Sequence, residues 1–115
     1  MFLAAALIIG GIIVSSGLAK KFWSKLQNFI KKVYEKLKVR IRGFLMGSAV
    51  FLKKIGNKFQ NRTKHYSKDE LGKWKETIVT YEQNEDEVPE KYRNYATMDE
   101  EFDVTSDFEM ELKNA

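Results

Sequence analysis

The residues best suited to chemistry in this sequence are its basic side chains, which cluster in one part of the chain. Residues 20–66 contain fourteen Lys or Arg residues and one acidic residue, Glu35. Large aromatic side chains, among them Phe22, Trp23 and Phe29, lie between these cations. Cationic groups attract anions, and neighbouring aromatic rings enter the acyl region of a lipid surface or stack on bases. The pattern therefore indicates recognition of an anionic partner.

Residues for bond-making chemistry are scarce. The chain has no Cys and one His, His65, so it offers no disulfide, no thiolate ligand and no paired histidine ligands. The carboxylates of residues 85–87 and 99–103 lack the alternating ligands and the turn glycine of a calcium loop. We therefore predict a protein that is not an enzyme and has no catalytic residue, no metal site and no cofactor.

The charges divide the chain into three parts. Residues 1–19 are uncharged, residues 20–66 carry a net charge of +13, and residues 67–115 carry −9. An apolar head, a basic middle and an acidic tail are unusual for one globule. This division predicts three separate segments.

The apolar head has the length of a membrane span. Its nineteen residues, MFLAAALIIGGIIVSSGLA, would extend about 28 Å as a helix, close to the hydrocarbon thickness of a bilayer. Basic residues follow the head, which predicts an N-terminus outside and a C-terminus in the cytoplasm of a single-pass plasma-membrane protein. A signal peptide cleaved after Ala19 and a buried soluble helix remain alternatives.

The basic middle carries an apolar stripe at steps of four, four and three residues. An eleven-residue repeat over three turns keeps such residues on one helical face, so we predict a basic amphipathic helix over residues 20–62. This face packs on the rest of the chain, lies on a lipid leaflet, or forms a helical assembly. Its large apolar residues are Phe22, Leu26, Ile30, Val33, Leu37, Ile41, Phe44, Leu52, Ile55 and Phe59.

Small residues continue the same face into the head. Close helix packing within a membrane requires small side chains, so we predict that these positions pack membrane helices together. The predicted packing residues are Ala4, Gly11 and Ser15 in the head, and the GxxxG pair, Gly43 and Gly47, in the basic segment. A hinge in the basic helix is an equal alternative for this glycine pair.

The basic residues below the head face the anionic leaflet in this interpretation. Because lipid headgroups are the nearest anions, we favour lipid over nucleic acid as their partner. The predicted lipid-binding residues are Lys20, Lys21, Lys25, Lys31, Lys32, Lys36, Lys38, Arg40 and Arg42.

The acidic tail follows a linker over residues 63–72. Alternating β-branched and aromatic residues predict a strand over 73–83, and Pro89 predicts a short helix over 89–96. Residues 104–112 fit either a strand or a helix. Such a small module buries little surface, so it either docks on a cytoplasmic protein partner or is partly disordered.

Together these patterns predict a mainly α protein with one transmembrane helix, a long basic amphipathic helix and a small acidic α+β or partly disordered tail. We predict a small, non-enzymatic membrane subunit that assembles through one helix face, with itself or in a larger complex. Its acidic tail would then engage a partner. The alternative is a membrane-disrupting or pore-forming effector, holin-like or toxin-like, that acts through the basic helix.

Overall fold

The apolar stripe of the basic segment forms one side of a 24-residue helix, α2 (Gly17–Arg40). The computed structural model describes residues 1–95 and 100–114. Helix α2 ends at Arg40, since Ile41 has an extended backbone. The last turn of the helix carries Lys38 and Arg40, whose positive charges interact favourably with the negative end of the helix dipole. Its buried residues are Phe22, Trp23, Leu26, Gln27, Ile30, Val33, Tyr34 and Leu37.

Three long antiparallel strands follow α2. They are β3 (Gly43–Ile55), β4 (Lys58–Asp69) and β5 (Trp74–Asn84). A two-residue turn joins β3 to β4, and its Gly56 has φ 60°, a conformation that glycine adopts without strain. Side chains of β4 alternate between the face toward α2 and the opposite face. Those toward α2 are buried, namely Phe59, Asn61, Thr63, His65 and Ser67.

Short elements from both ends of the chain complete the fold. Strands β1 (Leu3–Ala4) and β6 (Glu101–Asp103) both pair with β3, whereas β2 (Gly11–Ile13) and β7 (Leu112–Asn114) form a separate two-stranded sheet. The larger sheet therefore runs from the β1 and β6 side through β3 and β4 to β5. The remaining elements are α1 (Ala5–Gly10), a 3₁₀ turn (Glu85–Glu87), α3 (Glu90–Tyr95) and α4 (Thr105–Glu111).

The hydrophobic core lies between α2 and the larger sheet. Phe22, Leu26 and Ile30 of α2 are essentially inaccessible, as are Leu52 and Phe59 of the sheet. Helices α3 and α4 extend this core at the N-terminal end of α2, where Trp23 stacks on Phe108 with a centroid distance of 5.5 Å. All three charge segments thus contribute to one core.

The predicted fold class is wrong, because the described residues form an α+β structure with seven antiparallel strands rather than a mainly α one. The long helix ends at Arg40, and the stripe beyond it lies in strands. A spacing of four residues puts side chains on one face of a strand as well as of a helix. Ser48 and Leu52 share one face in this way, while a bulge between Leu45 and Gly47 separates Phe44 from them.

The predicted transmembrane helix and the single-pass plasma-membrane topology are also wrong. The head is divided into β1, α1 and β2, and its Leu3 and Ile8 are buried in the core. Helix α1 has six residues and spans about 9 Å. Across residues 1–95 and 100–114, no helix combines the length and the apolar character needed to cross a bilayer.

The acidic segment is ordered over its described part. Strand β5 lies where a strand is expected over 73–83, and α3 lies within the range expected for a helix, 89–96. Residues 96–99 are outside the described residues. Helix α4 and strand β7 occupy the ambiguous stretch 104–112, and β4 takes up most of the expected linker, 63–72.

We expect Gly47→Ala to destabilise the fold, because a Cβ at this position would collide with the backbone carbonyl of Leu3 and the ring of Phe2. Overpacking of this kind costs about 1–3 kcal/mol. The matched control is Gly10→Ala, which adds a methyl group to open space at the end of α1 and should be neutral or stabilising. Urea denaturation measures both, and equal stabilities for the two variants would contradict the close approach of β1 to β3.

Candidate anion-binding surface and the buried histidine

The side of α2 that faces away from the sheet is strongly basic. The helix contains eight Lys or Arg residues and one acidic residue, Glu35. At about 1.5 Å per residue the helix is about 36 Å long, so these charges form an extended surface. The predicted lipid-binding residues other than Arg42 all lie on α2, and Arg42 is exposed just after its end.

The lysines of α2 fall into two rows, since each residue advances about 100° around a helix. Gln27 donates hydrogen bonds to the carbonyls of Ile8 (2.8 Å) and Gly11 (2.7 Å), so its side of α2 faces the N-terminal segment. The row on that side, here called the N-terminal row, consists of Lys20, Lys31 and Lys38. The opposite row, here called the β5 row, consists of Lys21, Lys25, Lys32 and Lys36.

The β5 row lies beside the last long strand. Phe29 of α2 contacts Tyr81 of β5 with ring centroids 4.4 Å apart, and Lys25 Nζ lies 5.8 Å from the Tyr81 ring. Lys25 also forms an ion pair with Glu87 at 3.4 Å. Seven of the eight cationic side chains of α2 are exposed, so an anion can reach most of them.

An aliphatic patch lies beside the N-terminal row. Ile9, Ile12 and Val14 are 44%, 58% and 49% exposed. Ile9 and Lys38 line the same shallow groove of about 340 Å³, together with Ile41 and Phe44. One lysine of this row and one residue of the patch are therefore neighbours.

The residues predicted to form an amphipathic interface are not on one exposed face. Phe22, Leu26, Ile30, Val33 and Leu37 are buried between α2 and the sheet. The others lie beyond the helix: Leu52 and Phe59 are buried in strands, Ile41 is half-buried, and Phe44 and Ile55 are exposed.

The predicted membrane-packing residues lie in different parts of the fold. Gly11 approaches Leu112 in the two-stranded sheet, and Gly43 and Gly47 lie against the backbones of β4 and β1. Ala4 belongs to β1, and Ser15 lies in the connection before α2. The close approaches that these glycines permit are thus contacts within the chain.

The acidic segment pairs repeatedly with cations of the same chain. Besides Lys25–Glu87, Arg62 contacts Glu101 at 3.2 Å. Further ion pairs join Lys54 to Glu85 at 3.5 Å, Lys64 to Glu101 at 3.9 Å, and Lys91 to Asp107 at 3.5 Å. The opposite net charges of the middle and the tail are therefore partly satisfied internally, and a partner for the acidic segment stays a prediction.

Beneath α2, four polar side chains form a continuous chain of hydrogen bonds. The Tyr34 hydroxyl bonds Ser48 Oγ, Ser48 Oγ lies 2.6 Å from His65 Nδ1, and His65 Nε2 lies 2.8 Å from Thr63 Oγ1. The Thr63 hydroxyl in turn donates to the carbonyl of Val79 at 2.8 Å. All four side chains are nearly inaccessible.

The last hydrogen bond of this network determines which group donates and which accepts in all the others. Because the Thr63 hydrogen goes to Val79, Thr63 must accept a hydrogen from His65 Nε2. His65 Nδ1 then accepts from Ser48, and Ser48 accepts from Tyr34. The network is therefore satisfied with a neutral His65. Burial lowers the pKa of His65 to about 4. Burial also raises the pKa of Tyr34 to about 12, and the hydrogen bond from Tyr34 to Ser48 offsets part of this increase.

A serine hydroxyl donating to a histidine is also the arrangement that activates a nucleophile. Here Ser48 is 0% exposed and His65 is 1% exposed, so neither group meets a cavity from which a substrate could approach. The arrangement stabilises the contact between α2 and the sheet. This network was not predicted from the sequence. The available signal is the alternation of small or neutral polar residues, from Asn61 to Ser67, with larger and mostly charged ones along β4.

Comparison with protein-family models, curated proteins and solved structures gives no significant match to this chain. The candidate site is therefore defined by its own geometry, namely the two lysine rows of α2 and the aliphatic patch.

We expect His65 to make stability depend on acid pH. Its pKa is about 4 when folded and about 6.5 when unfolded, so its contribution is complete above pH 6.5 and declines toward pH 4. The loss over this window is about 3 kcal/mol. Urea unfolding followed by tryptophan fluorescence, to which Trp23 and Trp74 both contribute, measures this at several pH values.

The control for this prediction is His65→Gln, which retains polar atoms but does not titrate. The variant should be less stable than the wild type at pH 7, and the difference between them should shrink as the pH falls to 4. A difference that stays constant with pH would show that His65 does not take up its proton on unfolding.

Proposed function

We propose that this protein is a non-enzymatic module that binds an anionic lipid surface from one side. The N-terminal row of α2, Lys20, Lys31 and Lys38, attracts the headgroups. The aliphatic patch, Ile9, Ile12 and Val14, enters the boundary between headgroups and acyl chains. The observation that carries this proposal is the groove that Lys38 shares with the exposed Ile9.

Binding to an anionic lipid surface in this way combines two weak attractions, one electrostatic and one hydrophobic. Each Lys near an anionic leaflet contributes about 1 kcal/mol, and each buried CH₂ contributes about 0.8 kcal/mol. Neither three lysines nor three aliphatic side chains hold a protein firmly alone. Their combination gives reversible binding that requires both negative charge and access to the acyl region.

This mode of binding leaves the core closed. The apolar side of α2, with Phe22, Leu26 and Ile30, packs on the sheet and is not available to lipid. A membrane-disrupting effector that inserts α2 would first have to expose these residues to water. Assembly of several copies through the same apolar side would require the same exposure. Peripheral binding through the lysines and the patch needs no such step, which favours it over both.

The exposed aliphatic side chains also favour lipid over nucleic acid. Phosphates of a nucleic acid would satisfy the lysines, but bases stack on aromatic rings, and Phe44 is the aromatic residue of this groove, whereas the patch is isoleucine and valine. The patch would then remain exposed to water in the complex. Binding to nucleic acid is therefore the competing outcome of the experiment.

Vesicle flotation tests the proposal. We expect binding to vesicles of phosphatidylcholine and phosphatidylserine in equal parts, but not to phosphatidylcholine alone. Because exposed charges are screened by salt, this binding should weaken strongly at about 0.5 M salt. The double variant Lys31→Gln/Lys38→Gln should bind about tenfold to thirtyfold more weakly. Ile12→Ser/Val14→Ser should also weaken binding, without changing the net charge.

The matched control is Lys58→Gln/Lys73→Gln, which removes the same charge from exposed sites next to the sheet turns. This variant should bind like the wild type. An equal loss in both lysine variants would show that only net charge matters. Stronger binding to a single-stranded or duplex oligonucleotide than to the vesicles would overturn the proposal in favour of nucleic acid.

A further inference from the structure

Strand β5 presents an open edge. It pairs with β4 along Trp74–Asn84, and no other strand pairs with it within residues 1–95 and 100–114. An unpaired strand edge presents a row of N–H and C=O groups that can accept another strand. Here the central residues, from Thr77 to Tyr81, carry no charge that would prevent such pairing.

Two hydrogen bonds show which groups point outward. The carbonyl of Lys73 accepts a hydrogen bond from the Asp69 N–H at 2.9 Å, and the carbonyl of Val79 accepts one from the Thr63 hydroxyl. Both carbonyls therefore face β4. Residues of an antiparallel strand alternate in this respect. The outward N–H and C=O groups therefore belong to the even-numbered residues, including Glu76, Ile78, Thr80 and Glu82.

A groove runs between this edge and α2. It has a volume of about 640 Å³, and its lining includes Lys21, Lys25 and Lys32 of the β5 row, with Phe29, Tyr81 and Glu82. The Tyr81 hydroxyl is buried and has no hydrogen-bond partner. A buried hydroxyl without a partner is unfavourable, so a group that reaches it would gain a hydrogen bond.

We infer that β5 accepts an extended acidic peptide as an additional antiparallel or parallel strand. The peptide backbone pairs with the outward groups of Ile78 and Thr80. Its side chains on the α2 side are acidic and approach Lys21 and Lys32, past Glu82 at the rim of the groove. Those on the other side are neutral because they adjoin Glu76. Main-chain pairing with side-chain selection is a recurrent mode of peptide recognition.

Charge disfavours a second copy of this chain as the occupant. Pairing of two β5 strands about a two-fold axis perpendicular to the sheet would place both α2 helices on the same side. Their β5 rows would then face each other with like charge. An acidic peptide instead brings the opposite charge into the groove.

This inference does not rest on the proposed lipid binding. The peptide site uses the β5 row, whereas the lipid surface uses the N-terminal row on the other side of α2. Variants of one row therefore serve as controls for the other.

A labelled peptide of alternating glutamate and threonine, as long as the eleven residues of β5, tests the site by fluorescence anisotropy. We expect saturable binding to the wild type. Lys21→Gln/Lys32→Gln should weaken it about fivefold to tenfold, as expected for loss of two exposed ion pairs. Lys31→Gln/Lys38→Gln should change the affinity by less than about twofold.

Main-chain pairing has its own test. Thr80→Pro removes an outward N–H and should abolish binding, whereas Thr80→Val retains it and should bind normally. Since the proline variant requires a folding check by circular dichroism, a peptide N-methylated at alternate residues provides a second measurement. One of its two methylation registers should fail to bind the wild type.

Three results would overturn the inference. These are absence of binding to the wild type, equal binding of both N-methylated peptides, and a dimer in sedimentation experiments that Thr80→Pro dissociates. The first two would exclude strand addition, and the third would show that a second copy occupies the edge.

Discussion

Burial of the apolar side of α2 against a partly polar sheet is the constraint on which this structure depends. The sheet face beneath the helix includes Ser48, Thr63 and His65, all inaccessible to water. A buried polar group without a partner costs about 1–3 kcal/mol, so pairing within this group of side chains stabilises the contact. The Tyr34 hydroxyl completes the hydrogen-bond network by bonding Ser48. This bond requires α2 to pack on the sheet with Tyr34 next to Ser48. The polar network thereby aligns the apolar contacts on either side of it.

The same packing determines which surfaces remain outside. Once α2 turns its apolar side to the sheet, its lysines face solvent, and they separate into rows beside the N-terminal segment and beside β5. The N-terminal segment is held by Gln27, whose amide satisfies two backbone carbonyls, while Ile9 and Ile12 stay exposed. Both proposed binding surfaces are therefore consequences of one helix orientation.

Sequence patterns succeed or fail here according to whether they are local. The apolar residues from Phe22 to Leu37 recur at a helical period, and the structure places them on one side of α2. Beyond Arg40 the same spacing of four is ambiguous, because it also fits a strand, and the pairing of β3 with β4 decides the outcome. The apolar head likewise has the length of a membrane helix, yet Leu3 and Ile8 are buried in the core instead.

The sequence by itself determined the three charge segments, the absence of cysteine chemistry and the amphipathic character of residues 22–37. Only the tertiary structure decided that the head joins the core, that His65 meets Ser48, and that β5 pairs on one side only among the described strands. The physical reason is the range of the interactions. Helical periodicity and net charge are properties of neighbouring residues, whereas burial, hydrogen-bond partners and strand edges depend on segments far apart in the chain.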